Sequence, residues 1–193
     1  MDSSFWENRY KEGSTGWDIG KASRPIEEYI KQIHKKNLNI LIPGAGNGYE
    51  AEALLKMGFE SITVLDWAES PLKNLKDRLS STGNNLRLLH ENFFDHQGSY
   101  DLILEQTFFC ALDPSLRKDY AQKVASLLKP EGKLVGLLFH FQNEKQGPPF
   151  GGNPAEYQFL FNQDFKIKTL EMAYNSIPPR MGKEVFINFE KKD

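Results

Sequence analysis

Short apolar runs alternate with amphipathic stretches along the chain from residue 25 onward. The runs are rich in branched aliphatic residues and are bounded by polar turns, which is typical of strands that are covered on both faces of a sheet. The predicted strands are 39–42, 61–66, 86–90, 101–105 and 133–141, and two further extended runs are 165–173 and 184–190.

The stretches between these runs show helical periodicity. Ile26 and Ile30 share one face of a helix that opens at Pro25, since Pro is tolerated at the first helical position. Ser70 precedes Pro71, and this pair predicts an N-cap followed by a helix. Further helices are predicted at 49–57, 114–128 and near 154–162, with a turn at KPEGK (129–133) and a loop over 142–153.

Strands that alternate with helices predict an α/β fold. We expect a doubly wound, mostly parallel sheet of seven strands, with helices on both faces, in a single domain over residues 1–193. The last two extended runs have no helix between them, so they are expected to form an antiparallel edge of the sheet.

Charge and hydropathy narrow the classes of partner. The 193 residues include 24 Lys and Arg against 26 Asp and Glu, and the net charge of -2 gives no attraction for nucleic acid or an anionic membrane. The N-terminal segment is acidic and aromatic, unlike a signal peptide. The longest apolar run, 134–139, is far shorter than the ~20 residues of a membrane helix. We therefore expect a cytoplasmic protein with a small-molecule substrate.

Cysteine and histidine usage offers no metal or disulfide chemistry. Cys110 is the single cysteine, so no intrachain disulfide is possible, and the four histidines lack the spacing of zinc ligands. The apolar surroundings of Cys110 in FFCAL predict a raised thiol pKa and a packing role.

A glycine-rich turn, PGAGNG, follows the first predicted strand. It carries Gly44, Ala45 and Gly46, and glycine lets a backbone approach a ligand closely. Asp66 ends the second strand, where a carboxylate can accept both hydroxyls of a ribose. Tyr49 stands where a dinucleotide fingerprint needs its third glycine, and no phosphate-binding Gly-Lys-Ser/Thr follows. The turn therefore favours a nucleoside ligand such as S-adenosylmethionine, the alternative being glycines that serve only a tight turn.

Aromatic residues in the N-terminal arm, residues 1–24, suit such a cofactor. Trp6, Tyr10 and Trp17 precede the sheet, and Trp67 directly follows the ribose carboxylate. Aromatic faces attract a positively charged sulfonium by about 0.5–2 kcal/mol and shield it from water. Packing of the arm against the core is the alternative role.

The arm, the glycine turn and several later segments together resemble the thiopurine S-methyltransferase superfamily, most closely its thiol and halide methyltransferase branch. The resemblance spans about residues 5–190, and its most specific parts are GWD (16–18) and GPPF (147–150). The other matching stretches are NILIPGAGNGYEAEAL (39–54), SITVLDWAESPL (61–72), ENFFD (91–95), YDLILEQTFFCALDPSLRKDY (100–120), LLKPEGKL (127–134) and NSIPPRMGKE (175–184).

The resemblance implies S-adenosylmethionine as cofactor and S-adenosylhomocysteine as product. The cofactor positions that it implies are Trp6, Tyr10 and Trp17 in an arm that closes over the cofactor, Gly44 at the methionine end with Ala45 and Gly46 in the same turn, Asp66 at the ribose with Trp67 beside it, Asn92 and Phe93 at the adenine, and Gln106 beside the amino-acid part. Two positions depart from the family. Asn92 replaces a frequent acid or Ser, and Gln106 replaces Arg of the thiopurine enzymes or Tyr of the plant halide enzymes. These departures put the identity of the substrate in doubt.

The resemblance implies in-line methyl transfer to a thiol, thiocyanate, halide or thiopurine-like thiol. Such acceptors are already nucleophiles, so alignment and desolvation suffice and no general base is demanded. His140 is the best-placed candidate for a catalytic residue by topology, against a structural role. Phe108, Phe150 and Arg180 are candidates for the substrate side, against core packing or a plain surface charge.

Other function classes stay open. They include methylation of another small-molecule oxygen or nitrogen acceptor and non-catalytic binding of S-adenosylmethionine. A nicotinamide dehydrogenase is disfavoured by Tyr49 and by the lack of a second substrate domain. The family tends toward monomers, and a monomer is expected here.

Overall fold

The computed structural model describes residues 1–80, 86–142 and 147–193. Its helices are α1 (Ser3–Lys11), α2 (Arg24–Lys31), α3 (Tyr49–Lys56), α4 (Glu69–Arg78), α5 (Arg117–Leu127) and α6 (Pro154–Phe161). Its strands are β1 (Asn39–Pro43), β2 (Ser61–Asp66), β3 (Leu86–His90), β4 (Tyr100–Gln106), β5 (Leu128–Phe139), β6 (Phe165–Met172) and β7 (Glu184–Lys191). Short 3₁₀ helices lie at Phe109–Ala111, Pro114–Leu116 and Pro178–Arg180.

The strands of the described chain form one seven-stranded sheet in the order β3-β2-β1-β4-β5-β7-β6. Neighbours from β3 to β5 pair in parallel, whereas β7 runs antiparallel to both β5 and β6. The predicted doubly wound, mostly parallel α/β fold with an antiparallel edge is confirmed, with β7 inserted between β5 and the outermost β6. The order of strands reverses between β1 and β4, which is where open α/β sheets bind ligands.

Helices cover both faces of the sheet, as predicted. Alternate residues of β1 enter two separate cores, since Ile40 packs with α2, α3 and α4 while Leu41 packs with α5 and α6. Tyr120 of α5 and Phe161 of α6 are fully buried against the second face. Burial of each large apolar side chain contributes about 1.5–3 kcal/mol, so the two cores hold the strand ends as a rigid platform.

The start of α4 differs from the prediction. The helix begins at Glu69, its N-cap position is Ala68, and Ser70 is therefore a helical residue rather than the N-cap. The backbone N–H groups of Glu69 and Ser70 donate to a carboxylate oxygen of Glu7, each at 3.0 Å. A distant acid from the arm thus supplies the acceptor that the sequence pattern assigned to Ser70.

Three other boundaries were refined by the structure. The predicted turn at 129–133 is a bulge within β5, because Tyr100 pairs with Leu128 but Leu102 pairs with Lys133. The helix predicted over 114–128 begins as a 3₁₀ turn and becomes α-helical only at Arg117. The strand predicted to reach residue 141 ends at Phe139, so His140 lies just beyond it.

The arm and the long loop complete the chain. The arm contains α1, a helix that the hydrophobic pattern did not predict, with the Asp2 carboxylate accepting from the N–H of Phe5 as its N-cap. Of the loop predicted over 142–153, residues 143–146 lie outside the described residues, and Phe141 and Gly152 form an isolated antiparallel bridge across it. None of the described helices combines the length and the apolar composition that crossing a bilayer requires.

Candidate functional site

A cavity of about 660 Å³ lies at the carboxyl ends of the strands, at the point where the strand order reverses. This volume is within the usual range for small-molecule sites, about 300–1,000 Å³. The sequence-predicted residues that line the cavity are Trp6, Tyr10, Trp17, Gly44, Asp66, Trp67, Asn92, Phe93, Phe108 and Arg180. The cavity is therefore bounded by the arm, by four strand ends and by the segment before β7.

The Asp66 carboxylate closes the end of β2 over the glycine turn. One of its oxygens accepts from the N–H of Gly46 and the other from the N–H of Ala68, both at 2.9 Å. Burial raises the pKa of Asp66 to about 6, although these backbone hydrogen bonds act in the opposite direction. The group is thus an acceptor-only carboxylate at neutral pH, and it lines the cavity.

The glycine turn leaves no room for side chains. Gly44 has a φ of 55°, and a Cβ on it would collide with the ring of Phe108. A Cβ on Gly46 would lie 2.9 Å from the Tyr10 hydroxyl. Both glycines are therefore needed for close packing as well as for backbone conformation, and bare backbone is presented to the cavity at Gly44.

Three aromatic rings of the arm pack on one another beside this turn. The ring centroids of Trp6 and Tyr10 each lie 5.6 Å from that of Trp17, in edge-to-face geometry. The Trp17 indole N–H donates to the Tyr10 hydroxyl at 3.3 Å. Burial raises the pKa of Tyr10, and the nearby Asp66 charge adds to this effect. The cluster is therefore a neutral aromatic wall on the arm side of the cavity.

The arm is fixed to the rest of the fold at three places. The Glu7 carboxylate holds the start of α4, as described above, and Asp18 accepts from the side-chain amide of Asn47 in the glycine turn. The Arg180 guanidinium donates to the backbone carbonyl of Trp17 at 2.6 Å and pairs with Glu184 at 3.3 Å. Since these contacts come from three different elements, the arm is held as a cover over the cavity.

The loop after β4 is organised by Glu105, a residue that the sequence reasoning missed. Its fully buried carboxylate accepts from the N–H groups of Phe108 and Phe109, at 2.8 and 2.9 Å, and from the Tyr120 hydroxyl at 2.6 Å. Burial raises the pKa of Glu105 to about 7. The three donors fix the ring of Phe108 over Gly44. The available signal was an acid that directly follows the apolar run of this strand.

Several sequence-predicted residues do not line the cavity. Ala45 and Gly46 belong to the same turn as Gly44 but lie behind it, and Phe150 contributes a backbone N–H to the carbonyl of Cys110 at 2.7 Å. Gln106 is half-buried, and its side-chain oxygen is buried without a hydrogen-bond partner. His140 is exposed on the surface, so the structure does not bring it to the site.

The structure adds cavity residues that the sequence reasoning did not assign to the site. Phe94 lines the cavity beside Phe93, and the added residues are Met1, Arg9, Gly16, Leu65, Thr107, Cys110, Ala111, Leu112, Asp113, Leu116, Phe139, Pro148 and Pro149. Most are apolar, and six come from the segment between β4 and α5. Burial raises the pKa of the Cys110 thiol, as its apolar surroundings predicted. The S–H group donates to the carbonyl of Thr107 at 3.3 Å. No cluster of metal-ligating side chains occurs among residues 1–80, 86–142 and 147–193.

The residues present fit S-adenosylmethionine. Asp66 offers acceptor-only oxygens for a ribose, Gly44 offers backbone that no side chain obstructs, and the Trp6 ring offers a π-face for a sulfonium. Solved methyltransferases share this fold. The crystal structure of Burkholderia thailandensis 1,6-didemethyltoxoflavin-N1-methyltransferase, which contains S-adenosylhomocysteine, matches with a TM-score of 0.81 at 18% identity, over 99% of this chain and 87% of that one.

The chain belongs to the thiopurine S-methyltransferase family. The profile of that family, Thiopurine S-methyltransferase (TPMT), matches residues 1–191. Probable thiol methyltransferase 2 of Arabidopsis thaliana is 30% identical, over 98% of this chain and 85% of the relative. Thiocyanate methyltransferase 1 of Brassica oleracea is 28% identical, over 99% of this chain and 86% of the relative. The protein is thus an S-adenosylmethionine-dependent methyltransferase.

Proposed function

We propose that this methyltransferase acts on a small, soft nucleophile: a thiol, thiocyanate, a halide or a thiopurine-like thiol. The observation that carries the proposal is an aromatic, apolar cavity in which no described lining residue is a free general base. The Asp66 carboxylate is assigned to the ribose and also accepts from two backbone N–H groups, whereas the hydroxyl and N–H of Ser115 lower the pKa of Asp113 and make it a weak base. An acceptor that is already nucleophilic needs only alignment and removal of water.

Binding of the cofactor follows from the same residues. S-Adenosylmethionine supplies an electrophilic methyl group when bound. We assign Asp66 to the ribose and the turn at Gly44 to the methionine part. The Asn92 side-chain oxygen already accepts from the N–H of Phe94 at 3.1 Å, which leaves the amide N–H₂ to donate to the adenine beside Phe93. We assign Gln106 no direct contact with the cofactor, because its buried, unpartnered side-chain oxygen does not line the cavity.

The arm supports transfer by excluding water. Trp6 and Trp17 line the cavity, and their neutral faces stabilise a sulfonium while offering no nucleophile that competes with the acceptor. Apolar residues on the opposite wall, such as Leu112 and Leu116, suit a polarisable acceptor that is weakly hydrated. Methylation of an oxygen or nitrogen acceptor would require a general base to deprotonate the acceptor, and the described lining residues supply none. A non-catalytic protein that only binds the cofactor would not need an arm that covers the cavity.

The near-zero charge balance and the single described sheet support a cytoplasmic monomer that acts on a small molecule. The net charge is -2, and the described chain forms one sheet flanked by helices. Size-exclusion chromatography with light scattering tests the monomer directly.

The proposed cofactor and acceptor are tested in two steps. Calorimetric titration with S-adenosylhomocysteine is run beside NAD on the same sample, and we expect binding of the first alone. Initial rates are then measured with iodide, thiocyanate, hydrosulfide and aromatic thiols, for the wild type and for Gln106→Arg, which introduces the residue of the thiopurine enzymes. Turnover of at least one soft nucleophile is expected. Binding of S-adenosylhomocysteine with turnover of an oxygen or nitrogen acceptor alone would contradict the acceptor class.

A further inference from the structure

Two cationic side chains line the described part of the cavity, and their environments differ. Arg180 is engaged, because it pairs with Glu184 at 3.3 Å and donates to the carbonyl of Trp17. Arg9 has no carboxylate within ion-pair distance among the described residues, and its one polar contact is a long one, 3.5 Å, to the carbonyl of Ser14. Arg9 is therefore the cation whose charge is left uncompensated at the cavity.

The Arg9 guanidinium is nevertheless held in place. Its central carbon lies 5.1 Å from the ring centroid of Phe5 and 5.9 Å from that of Trp17. Contact with aromatic rings uses the faces of the guanidinium and leaves the N–H groups at its edge free to donate. Trp17 is itself fixed by Tyr10, Trp6 and Arg180, so the cation is positioned before any ligand binds.

Arg9 lies on the arm, beside aromatic rings that we assign to the sulfonium, and not on the turn that we assign to the methionine part. Arg9 belongs to α1 of the arm, and the half-exposed Met1 lies just before that helix. Both residues line the cavity. The methionine part of the cofactor is assigned to the turn after β1, where the backbone of Gly44 lines the cavity. A second anion in the same cavity thus has a separate partner on the arm.

We propose that Arg9 binds a carboxylate carried by the methyl acceptor, so that the enzyme prefers an acidic thiol to its uncharged counterpart. This inference rests on the proposed function. Arg and a carboxylate form paired N–H···O hydrogen bonds of fixed geometry, which would orient the acceptor as well as attract it. The apolar walls at Phe94, Leu112 and Leu116 accommodate the carbon skeleton between the carboxylate and the sulfur.

The test compares thiophenol with ortho-, meta- and para-mercaptobenzoate as acceptors. Values of kcat/KM are measured for the wild type, Arg9→Met, Arg9→Lys and the control Lys21→Met, which removes an exposed charge from the same arm. In the wild type, we expect at least one mercaptobenzoate to be preferred to thiophenol. Arg9→Met should reduce kcat/KM for that acceptor by about 10- to 100-fold, the range expected for a hydrogen bond to a charged group. Thiophenol and the control should change little, and Arg9→Lys should restore part of the preference.

Binding measurements separate this inference from the proposed function. The mercaptobenzoates and S-adenosylhomocysteine are titrated into each variant, the acceptors in the presence of saturating S-adenosylhomocysteine. Arg9→Met should weaken mercaptobenzoate binding even if no thiol is turned over, in which case only the proposed acceptor class fails. Weaker S-adenosylhomocysteine binding with an unchanged preference among thiols would show that Arg9 holds the carboxylate of the cofactor and would overturn the inference. Equal losses for thiophenol and the mercaptobenzoates, or no loss at all, would also overturn it.

Discussion

Glu7 and Ser70 are 63 positions apart in the chain, and the carboxylate of the first accepts from both the N–H and the hydroxyl of the second, at 3.0 and 2.6 Å. These hydrogen bonds lower the pKa of Glu7 to about 2, the hydroxyl having the larger effect. One side chain therefore caps α4 and at the same time fastens the arm that covers the cavity. The helix terminus and the cover depend on the same contact.

Replacing Glu7 by Ala should loosen the arm while leaving the sheet intact. Loss of a helix cap costs about 1 kcal/mol, which corresponds to about fivefold weaker binding of S-adenosylhomocysteine if the arm must dock for binding. Cleavage by trypsin after Arg9 or Lys11 should become faster. The control is Glu12→Ala, at an exposed position at the end of the same helix. Cleavage and affinity that match those of the control would show that the Glu7 contact does not hold the arm.

Gly44→Ala should be more damaging than an alanine at another glycine of positive φ. Gly20 has a φ of 70° with open space around its Cβ position, so Gly20→Ala should cost only the backbone strain, about 1–2 kcal/mol. At Gly44 the ring of Phe108 adds overpacking of about 1–3 kcal/mol. Urea denaturation measures both values. In a background that carries Phe108→Ala, the cost of Gly44→Ala should fall by about 1 kcal/mol or more, and strict additivity would contradict the steric explanation.

Binding of S-adenosylhomocysteine should weaken in mild acid. The pKa of Asp66 is raised from 3.8 to about 6, so below about pH 6 the carboxylate that we assign to the ribose becomes protonated, and affinity should fall by up to about tenfold per pH unit. The same shift makes the folded state bind more protons than the unfolded state between these values, so acidification through this range favours folding at this site. The loss of affinity is thus not unfolding. Calorimetry at several pH values should show the decline in the wild type and a flat, weak profile in Asp66→Asn.

Tyr120→Phe should destabilise the protein more in alkali than in acid. The pKa of Glu105 is raised from 4.5 to about 7, so above neutral pH the variant leaves an ionised buried oxygen without its hydroxyl partner. We expect a loss of about 0.5–1.5 kcal/mol near pH 6 and about 1.5–3 kcal/mol near pH 9 in the free energy of unfolding. Tyr157→Phe is a matched control, because that hydroxyl donates to the neutral carbonyl of Phe139. The same pH dependence in both variants would rule out this role of Glu105.

The parts of the fold that the sequence predicts are those with a local signal. Each apolar run around Ile40 or Ile103 is short and bounded by turns, and the structure places both in buried parallel strands. The sequence places the glycine turn and Asp66 at the ends of consecutive strands, and in the structure the Asp66 carboxylate accepts from Gly46 of that turn. The prediction of Ser70 as the N-cap of α4 was wrong, because the acceptor at this helix start is the Glu7 carboxylate of the arm, to which the Ser70 hydroxyl also donates.

The rest of the candidate site depends on contacts between distant segments. Glu105 resembles the polar end of a strand, and the donor from Tyr120 is apparent only once α5 packs against β4. Arg9 resembles any surface cation of an amphipathic helix until Trp17 is seen beside it. His140 was proposed from its position at a strand end, but the strand stops at Phe139 and the imidazole faces solvent.

The wall of the cavity contains a sulfur atom of its own, that of Cys110. A neutral thiol is a poor nucleophile, and the burial that raises the pKa of Cys110 keeps it neutral in the space that receives an electrophilic methyl group. The hydrogen bond to Thr107 holds its proton toward a carbonyl. For the proposed transfer to sulfur, the neutral state of the Cys110 thiol thus protects the protein against methylation within its own cavity.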